Sequence, residues 1–304
     1  MSVMMAKKRT IAAIVPVYNS ASYIEETLHS LFVQSHKFDE IIVVDDGSTD
    51  NTLDVVKKFK VKILKRKHQE RSAARNAGWC AAKSDIIAII ESDAVFNRDW
   101  VKNVLVGFEK GYEAVIDRRY FYKPTTYIAK MNDHFYDLRY KDYKPFSAWI
   151  FTRALLEELR GFDENLKGPE DRELGDRIRA SGREIFFARG AIQYHKGEPT
   201  TIKGVCRRSF FYGSRMIPYW KKTKKIPYVK LTFFLVLVVC IFFQVKVALL
   251  LFIMYTIYIF GRDVRRGMKK EYVFVHPLYV TVSETINVIG VIYGLLVGEA
   301  KKLR

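Results

Sequence analysis

The chain reads as an α/β protein built on an open sheet, followed by an interfacial helix and C-terminal membrane helices. Three observations predict this. Up to about residue 200, apolar runs of five to seven residues alternate with helical patterns through short loops, the signature of strands joined by right-handed crossovers. Several of those runs end in acidic residues, at the rim where open α/β sheets bind their ligands. Beyond residue 226 the composition changes sharply, and Tyr228–Phe260 is apolar apart from Lys230, Gln244 and Lys246.

A length of 304 residues holds one large domain, or one domain and an appendage. The net charge of +18 points to anionic partners: nucleic acid, phospholipid or a phosphorylated substrate. Cys80, Cys206 and Cys240 are far apart, which excludes a disulfide framework or a cysteine zinc site and fits a reducing compartment. Met1–Arg9 is basic but runs straight into a strand-like stretch, so no signal peptide is expected.

Ile11–Val15 is expected as the first strand, and Ser20–Gln34 as a helix capped by Asn19 or Ser20. Glu40–Val44 is the second strand, Asn51–Lys60 a helix and Val61–Leu64 the third strand. A helix over Arg71–Ala82 leads to Ile86–Ile90, an apolar run with no charged face and hence a strand buried on both sides. Asn97–Glu109 is a helix and Glu113–Ile116 a strand. Residues 117–146 break the rhythm. Six tyrosines (Tyr120, Tyr122, Tyr127, Tyr136, Tyr140, Tyr143) among mixed charges, without clear periodicity, predict a binding loop or lid, or else a plain surface excursion. Ser147–Phe151 and Arg153–Arg160 resume strand and helix, and Gly161-Phe162-Asp163 forms a turn. Glu170–Ser181 is a helix closed by Gly182. Glu184–Phe187 and Ala191–Tyr194 are two short strands ending at His195.

The central strand ends in Glu91-Ser92-Asp93. Two carboxylates so close repel each other unless a positive charge lies between them, and oxygen donors suit Mg²⁺ or Mn²⁺. The same residues would also serve as an acidic helix cap in a solvated turn. Pro16, Tyr18 and Asn19 follow strand one and Asp45 and Asp46 end strand two, on the same rim. An Asp there can accept from a base N–H or a ribose hydroxyl. Arg71 and Arg75, four apart on one helical face, suit a diphosphate. No G-x-G-x-x-G follows the first strand and no G-x-x-x-x-G-K-[ST] occurs, which argues against a dinucleotide oxidoreductase and a P-loop NTPase. His195, ending a strand, is a candidate ligand of metal or diphosphate. Glu170 and Asp171 open a helix, whose dipole stabilises their charge.

Taken together and in order, Pro16-Val17-Tyr18-Asn19, Val43-Val44-Asp45-Asp46-Gly47-Ser48-Thr49-Asp50, Ala74-Arg75-Asn76-Ala77-Gly78, Glu91-Ser92-Asp93, Gly161-Phe162-Asp163-Glu164 and Glu170-Asp171-x-Glu173-Leu174-x-x-Arg177 carry a resemblance. Over about residues 10–200 the chain resembles the family 2 glycosyltransferases of the GT-A fold, a Rossmann-like mixed sheet. The resemblance implies a catalytic domain over 1–200, a nucleotide-diphosphate sugar donor, a divalent cation (Mn²⁺ or Mg²⁺) and inversion at the anomeric carbon. It assigns Pro16, Tyr18, Asn19, Asp45, Asp46, Arg71, Arg75, Glu91 and Ser92 to the donor, with Asp45 and Asp46 at base and ribose. Asp93, with Glu91 and His195, belongs to the metal, and Asp171, beside Glu170, to catalysis as the base. Glu91 departs from the family, which has Asp there. Inverting transfer to a hydroxyl requires its deprotonation, a step in which a carboxylate base contributes roughly 10²–10⁴-fold.

Thr201–Trp220 is expected as an interfacial helix, because at 100° per residue Lys203, Arg207, Arg208 and Arg215 share an arc of about 140°. Ile202, Val205, Cys206, Phe210, Tyr212 and Met216 fill most of the other side, a pattern suited to anionic headgroups. With Trp149, the arginines Arg207, Arg208 and Arg215 are candidates for contact with acceptor or membrane. Residues 201–225 thus form an interfacial helix and basic linker, and 226–304 a membrane region. Tyr228–Phe260 is too long for one upright span and short for two. A hairpin turning near Gln244–Lys246, with arms of about 16 residues, keeps Lys221–Lys225 and Arg262–Lys270 on one side. The apolar helix 272–297 either lies in the interface or re-enters. The expectation is an integral, multi-pass membrane protein with a cytoplasmic catalytic domain. Its partners would be a nucleotide-diphosphate sugar, a lipid-linked acceptor and membrane lipids, not nucleic acid. Dolichol-phosphate sugar synthases are related, but their acceptor is a lipid phosphate that needs no base, and they usually lack a Glu170-Asp171 equivalent. Processive synthases carry Q-x-x-R-W, absent here. A non-catalytic basic scaffold would leave Asp93 and Asp171 unemployed.

Overall fold

β-branched runs without charges form the central strands of the sheet in the first unit. The computed structural model describes residues 9–140, 145, 147–228, 232–233, 236 and 245–302. The chain divides into two units, Met1–Tyr122 with Lys144–Gly197, and Lys123–Tyr143 with Glu198–Arg304.

The first unit is built on one sheet: β1 (Ile11–Val17), β2 (Glu40–Asp45), β3 (Lys62–Lys65), β4 (Ile86–Ile89), β5 (Ala94–Phe96), β6 (Ala114–Phe121), β7 (Ile150–Thr152) and β8 (Ile185–His195). Their spatial order is β3-β2-β1-β4-β7-β6-β8-β5. β1 pairs in parallel with β2 and β4, while β4 meets β7 antiparallel, so the sheet is mixed. Helices α1 (Ile24–Phe32), α2 (Thr52–Val56), α3 (Arg71–Ala81), α4 (Trp100–Glu109), α6 (Arg153–Leu159) and α7 (Glu170–Ala180) complete the unit, with α5 (Tyr127–Arg139) belonging to the second. Ile11, Leu28, Val43, Ile86, Trp100 and Ile150 are among the fully buried side chains of the main core.

Three expectations are corrected. The first helix starts at Ile24, without a side-chain cap, because the side chains of Asn19 and Ser20 are used elsewhere: Asn19 Oδ1 accepts from the Thr49 N–H at 2.8 Å, and Ser20 Oγ lies 3.0 Å from Ser92 Oγ. Residues 117–121 continue β6 instead of opening a loop, and the two short strands expected before His195 are one strand. β6 and β8 pair in parallel across a register shift between Ile116 and Arg118, and that irregularity hides the continuity from a period-two reading. Most of the remaining stretch is a helix, α5 (Tyr127–Arg139), capped by Thr126, whose Oγ1 accepts from the Ala129 N–H at 3.2 Å. Residues 141–144 and 146, Tyr143 among them, lie outside the described residues.

The second unit holds α5, α8 (Ile202–Ser214), α9 (Met216–Thr223), and the helices Val245–Arg265, Lys270–Val273 and Val275–Lys302. The single helix expected over 201–220 is broken at Arg215. Met131 and Leu138 of α5 are buried with Met268, Tyr272 and Val273, so α5 is part of the C-terminal unit. Val245–Arg265 runs antiparallel to the terminal helix: Asp263 Oδ2 lies 2.6 Å from His276 Nδ1, Thr256 Oγ1 lies 3.1 Å from Thr281 Oγ1, and Ala248 packs with Val288. Val245–Arg265, at 21 residues, and Lys270–Leu295 are long and apolar enough to cross a bilayer. The first arm of the expected hairpin, 228–244, lies mostly outside the described residues.

Candidate active site

The ends of β1 and β2 are stitched together by side chains. Asn19 takes a positive φ of 49°. Its N–H donates to Ser48 Oγ at 3.0 Å, and its Oδ1 accepts from the Thr49 N–H at 2.8 Å. Asp45, buried at the end of β2, accepts from the Ser48 N–H at 3.1 Å. Asp46 is committed more heavily. It accepts the backbone N–H groups of Gln69 and Glu70 at 3.1–3.2 Å and lies 2.9 Å from His68 Nδ1. Tyr18 stacks on His68 with ring centroids 4.2 Å apart and remains 47% exposed, an aromatic face open to a planar ligand. Pro16 pairs with Val44 inside the ladder. Asp45, Tyr18 and Asn19 are thus brought together on one rim, while Asp46 chiefly clamps the loop before α3.

At the end of β4, Ser92 Oγ lies 3.0 Å from Ser20 Oγ, and the Ser92 carbonyl accepts from Thr27 Oγ1 at 2.8 Å, which fixes the acidic turn to α1. His195 Nε2 lies 3.2 Å from both Glu91 Oε2 and Asp93 Oδ1, and Glu91 also pairs with Arg119. Burial pushes the Glu91 carboxyl up, but Arg119 and His195 outweigh it and hold it below the usual carboxylate range. Burial raises Asp93; His195 offsets part of this, and the charge of Glu91 adds to it. Among the described residues no group of three His, Cys, Asp or Glu side chains forms a ready-made metal cluster. The spacing nonetheless fits a shared ion, because two ligands each about 2.1 Å from one cation at right angles stand about 3 Å apart. Mg²⁺ and Mn²⁺ usually take one or two carboxylates and leave their other positions to phosphate and water.

Gly197 completes this corner. A Cβ there would stand 2.1 Å from Asp93 Oδ2, and the neighbouring Lys196 N–H donates to the Asp93 carbonyl at 2.8 Å. Any larger residue there would push the Asp93 carboxylate aside.

The two acids opening α7 have different environments. Glu170 is buried and paired with Arg75 at 2.5 Å, and the Arg75 guanidinium lies 4.8 Å from the Trp149 ring and 5.3 Å from that of Phe162. Arg75 is therefore not paired with the exposed Arg71 on an open face, as the four-residue spacing implied; burial separates their roles. Trp149 packs in this unit over Arg75 and against the main core. Asp171 is half-buried, and burial first, then the charge of Glu170, raises its pKa. That is the condition of a carboxylate poised to take a proton. Glu173 is structural: Arg177 grips it at 2.8–3.0 Å and donates to the Gly161 carbonyl at 2.7 Å, pinning the turn before α7.

Sequence reasoning missed three residues here: Arg119, Asp117 and Gly197. Buried Asp117 accepts from Trp100 Nε1 and Gln193 Nε2, each at 2.8 Å. Arg119 and Asp117 fall in the stretch read as a loop; the signal available was the Asp-Arg-Arg run in a β-capable segment. In the second unit Arg207 is exposed, Arg208 pairs with buried Glu198, and Arg215 lies over the Phe211 ring at 3.7 Å. The basic arc is thus only partly free.

The mixed sheet with its acidic rim defines the nucleotide-diphospho-sugar transferase class of fold, GT-A. The family model "Glycosyl transferase family 2" matches residues 12–163, half of the chain, and the chain belongs to that family. Among curated relatives, glycosyltransferase GlyA of Streptococcus pneumoniae serotype 4 is 26% identical over 213 residues, 61% of this chain and 30% of that protein. The pre-mycofactocin glycosyltransferase of Mycobacterium tuberculosis is 24% identical over 225 residues, 68% of this chain and 47% of that one. The chain spans less than half the length of both relatives. Among solved structures, the mannosyltransferase PcManGT from Pyrobaculum calidifontis, in complex with GDP-Man and Mn²⁺, has a TM-score of 0.61 at 19% identity, covering 92% of this chain and 86% of that chain. S. aureus TarS 1-349, in complex with UDP-GlcNAc, has a TM-score of 0.51 at 21% identity, covering 68% and 66%. At these identities the likeness is one of fold.

Proposed function

We propose that the chain is a membrane-attached inverting glycosyltransferase that moves a sugar from a nucleotide-diphosphate donor to a hydroxyl of a lipid-linked acceptor, with residues 1–200 as the catalytic domain and 201–304 as the membrane-attached part. The observation that carries this reading is Asp171: a half-buried carboxylate of raised pKa at the first turn of a helix, beside Glu170, which is ion-paired with Arg75. A lipid phosphate acceptor is already ionised and gives such a base nothing to do.

In this reading Tyr18 and Asp45 receive the nucleoside. Asp93, with Glu91 and His195, would hold a divalent cation, which would supply positive charge to the diphosphate leaving group. Asp171 takes the acceptor hydroxyl proton as the new glycosidic bond forms on the face opposite the leaving group. Glu170 and Arg75 act as a positioning pair. Their ion pair fixes the start of α7, and the rings of Trp149 and Phe162 hold the guanidinium in place. The apolar helices of the second unit support attachment to a bilayer.

The test is a panel of nucleotide sugars with Mn²⁺, offered to the full chain with membrane-lipid extract as acceptor source. Transfer of labelled sugar into the lipid fraction, with the anomeric configuration inverted, supports the reading. Donor binding without transfer into any lipid would overturn the acceptor assignment.

A further inference from the structure

α8 and the terminal helix are packed so tightly that they must share one depth at a bilayer. Ser209 Oγ meets Ser283 Oγ at 2.7 Å, and Asn287 Nδ2 donates to the Ser209 carbonyl at 3.1 Å. A Cβ on Gly213 would stand 1.9 Å from Asn287 O, one on Gly290 would stand 2.4 Å from Phe210 O, and one on Gly294 would stand 2.4 Å from Ser214 O. These contacts run from Ser283 to Gly294, through the middle and last part of Lys270–Leu295, the stretch long enough to cross a membrane. The backbones touch, so neither helix can move along the bilayer normal without the other.

α8 is unsuited to a bilayer centre. Lys203 and Arg207 are exposed on it, and Arg208 is held by buried Glu198. Arg207 lies two residues from Ser209, so an upright terminal helix would carry its guanidinium close to mid-membrane. From there the headgroups are about 15 Å away. An extended arginine side chain reaches only about 7 Å, too short to snorkel out. At the far end of α8, Arg215 stands one residue beyond Ser214, the partner of Gly294, so basic groups flank the contact on both sides. Val245–Arg265 lies along the terminal helix and exposes Leu249, Leu250, Ile253, Met254 and Ile257. The three helices therefore combine an apolar surface with basic groups that anionic lipid phosphates complement.

We propose that α8, Val245–Arg265 and the terminal helix enter only one leaflet of an anionic phospholipid bilayer. The apolar residues of Val245–Arg265 face the acyl chains, Lys203 and Arg207 lie among the headgroup phosphates, and the terminal helix runs along the interface without crossing. The C-terminus then stays on the side of the membrane that holds the catalytic unit. The inference rests on the membrane attachment argued above and changes its form from multi-pass to one-sided.

The experiment uses full-length chain in sealed inverted bacterial membrane vesicles and two single-cysteine variants. One keeps exposed Cys80 of α3, with Cys206→Ser and Cys240→Ser. The other lacks all three native cysteines and carries one cysteine in a short tag after Arg304. Both are treated with a membrane-impermeant maleimide before and after detergent. Labelling of Cys80 before detergent marks the catalytic side. The one-sided arrangement requires the tag to be labelled to the same extent before detergent as after it. A tag labelled only after detergent, while Cys80 is labelled before, would overturn the inference and leave membrane attachment standing. Release of the chain by alkaline carbonate would instead overturn the attachment itself.

Discussion

Asp117 makes a pH dependence of stability that can be read from its surroundings. It is buried on β6, and burial lifts its carboxyl from 3.8 to about 6, although the donors Trp100 and Gln193 pull it partly back. The folded chain therefore holds a proton that the unfolded chain has lost, throughout the window from about pH 4 to about pH 6. A raised folded-state pKa means that this contribution is fully present below the lower bound and is lost as pH rises through the upper one. At 1.36 kcal/mol per pH step, the displacement corresponds to about 3 kcal/mol. Asp117→Asn removes the titration. Its carbonyl oxygen can still accept from Trp100, and its amide can donate to Gln193 once that side-chain amide turns over, since the two ends of a glutamine amide exchange roles at little cost. Other titrating groups are common to both proteins and cancel in the difference. In matched detergent, the melting temperature of Asp117→Asn relative to wild type should rise by about 5–10 °C between pH 4 and pH 7.5, taking about 2–4 °C per kcal/mol for a chain of this size. Parallel curves for the two proteins across that range would refute the reasoning.

Asp171→Asn should lower turnover by at least about 10²-fold with donor affinity nearly unchanged, measured by steady-state transfer and donor titration. Because its pKa is raised and a base works deprotonated, wild-type turnover should fall as pH drops through a value above the ordinary 3.8 of an aspartate. The residual activity of the variant should lack that limb. Excess chelator should abolish transfer and Mn²⁺ should restore it, while Asp93→Asn should weaken Mn²⁺ binding by isothermal titration without changing the circular dichroism spectrum. Gly197→Ala should weaken Mn²⁺ binding in the same titration, since its methyl would displace the Asp93 carboxylate; binding as tight as wild type would show that the carboxylate moves aside at no cost.

The sheet was legible where one physical signal dominated. β1, β2 and β4 are built mainly of Ile, Val and Ala and are largely buried on both faces, as strands in the middle of a sheet must be. Legibility failed where two signals competed. β6 begins apolar at Ala114–Ile116 and then turns charged and aromatic, because its second half forms the site rim instead of the core. The change of register at Asp117 reverses the alternation there. α5 was hidden for another reason. Its apolar stripe is completed by Met268, Tyr272 and Val273, more than a hundred residues downstream, so its own thirteen residues look polar.

The site shows the same division. Asp45, Glu91 and Asp93 could be placed at one rim from strand ends alone, because a sheet delivers strand termini to one rim whatever their neighbours are, whereas Glu170 and Asp171 open a helix. What each carboxylate does depends on cations from elsewhere in the sequence. Arg75 reaches Glu170 across 95 positions, and Arg119 reaches Glu91 across 28. The departure of Glu91 from the family's aspartate becomes intelligible only with Arg119 in view. The extra methylene lets one carboxylate oxygen meet both Arg119 and His195 Nε2, while Asp93, on the shorter arm, meets the same imidazole from the side of Gly197. A longer acid and a distant arginine together hold His195 where a shorter acid and a nearby glycine also reach it, and no short motif can encode that pairing.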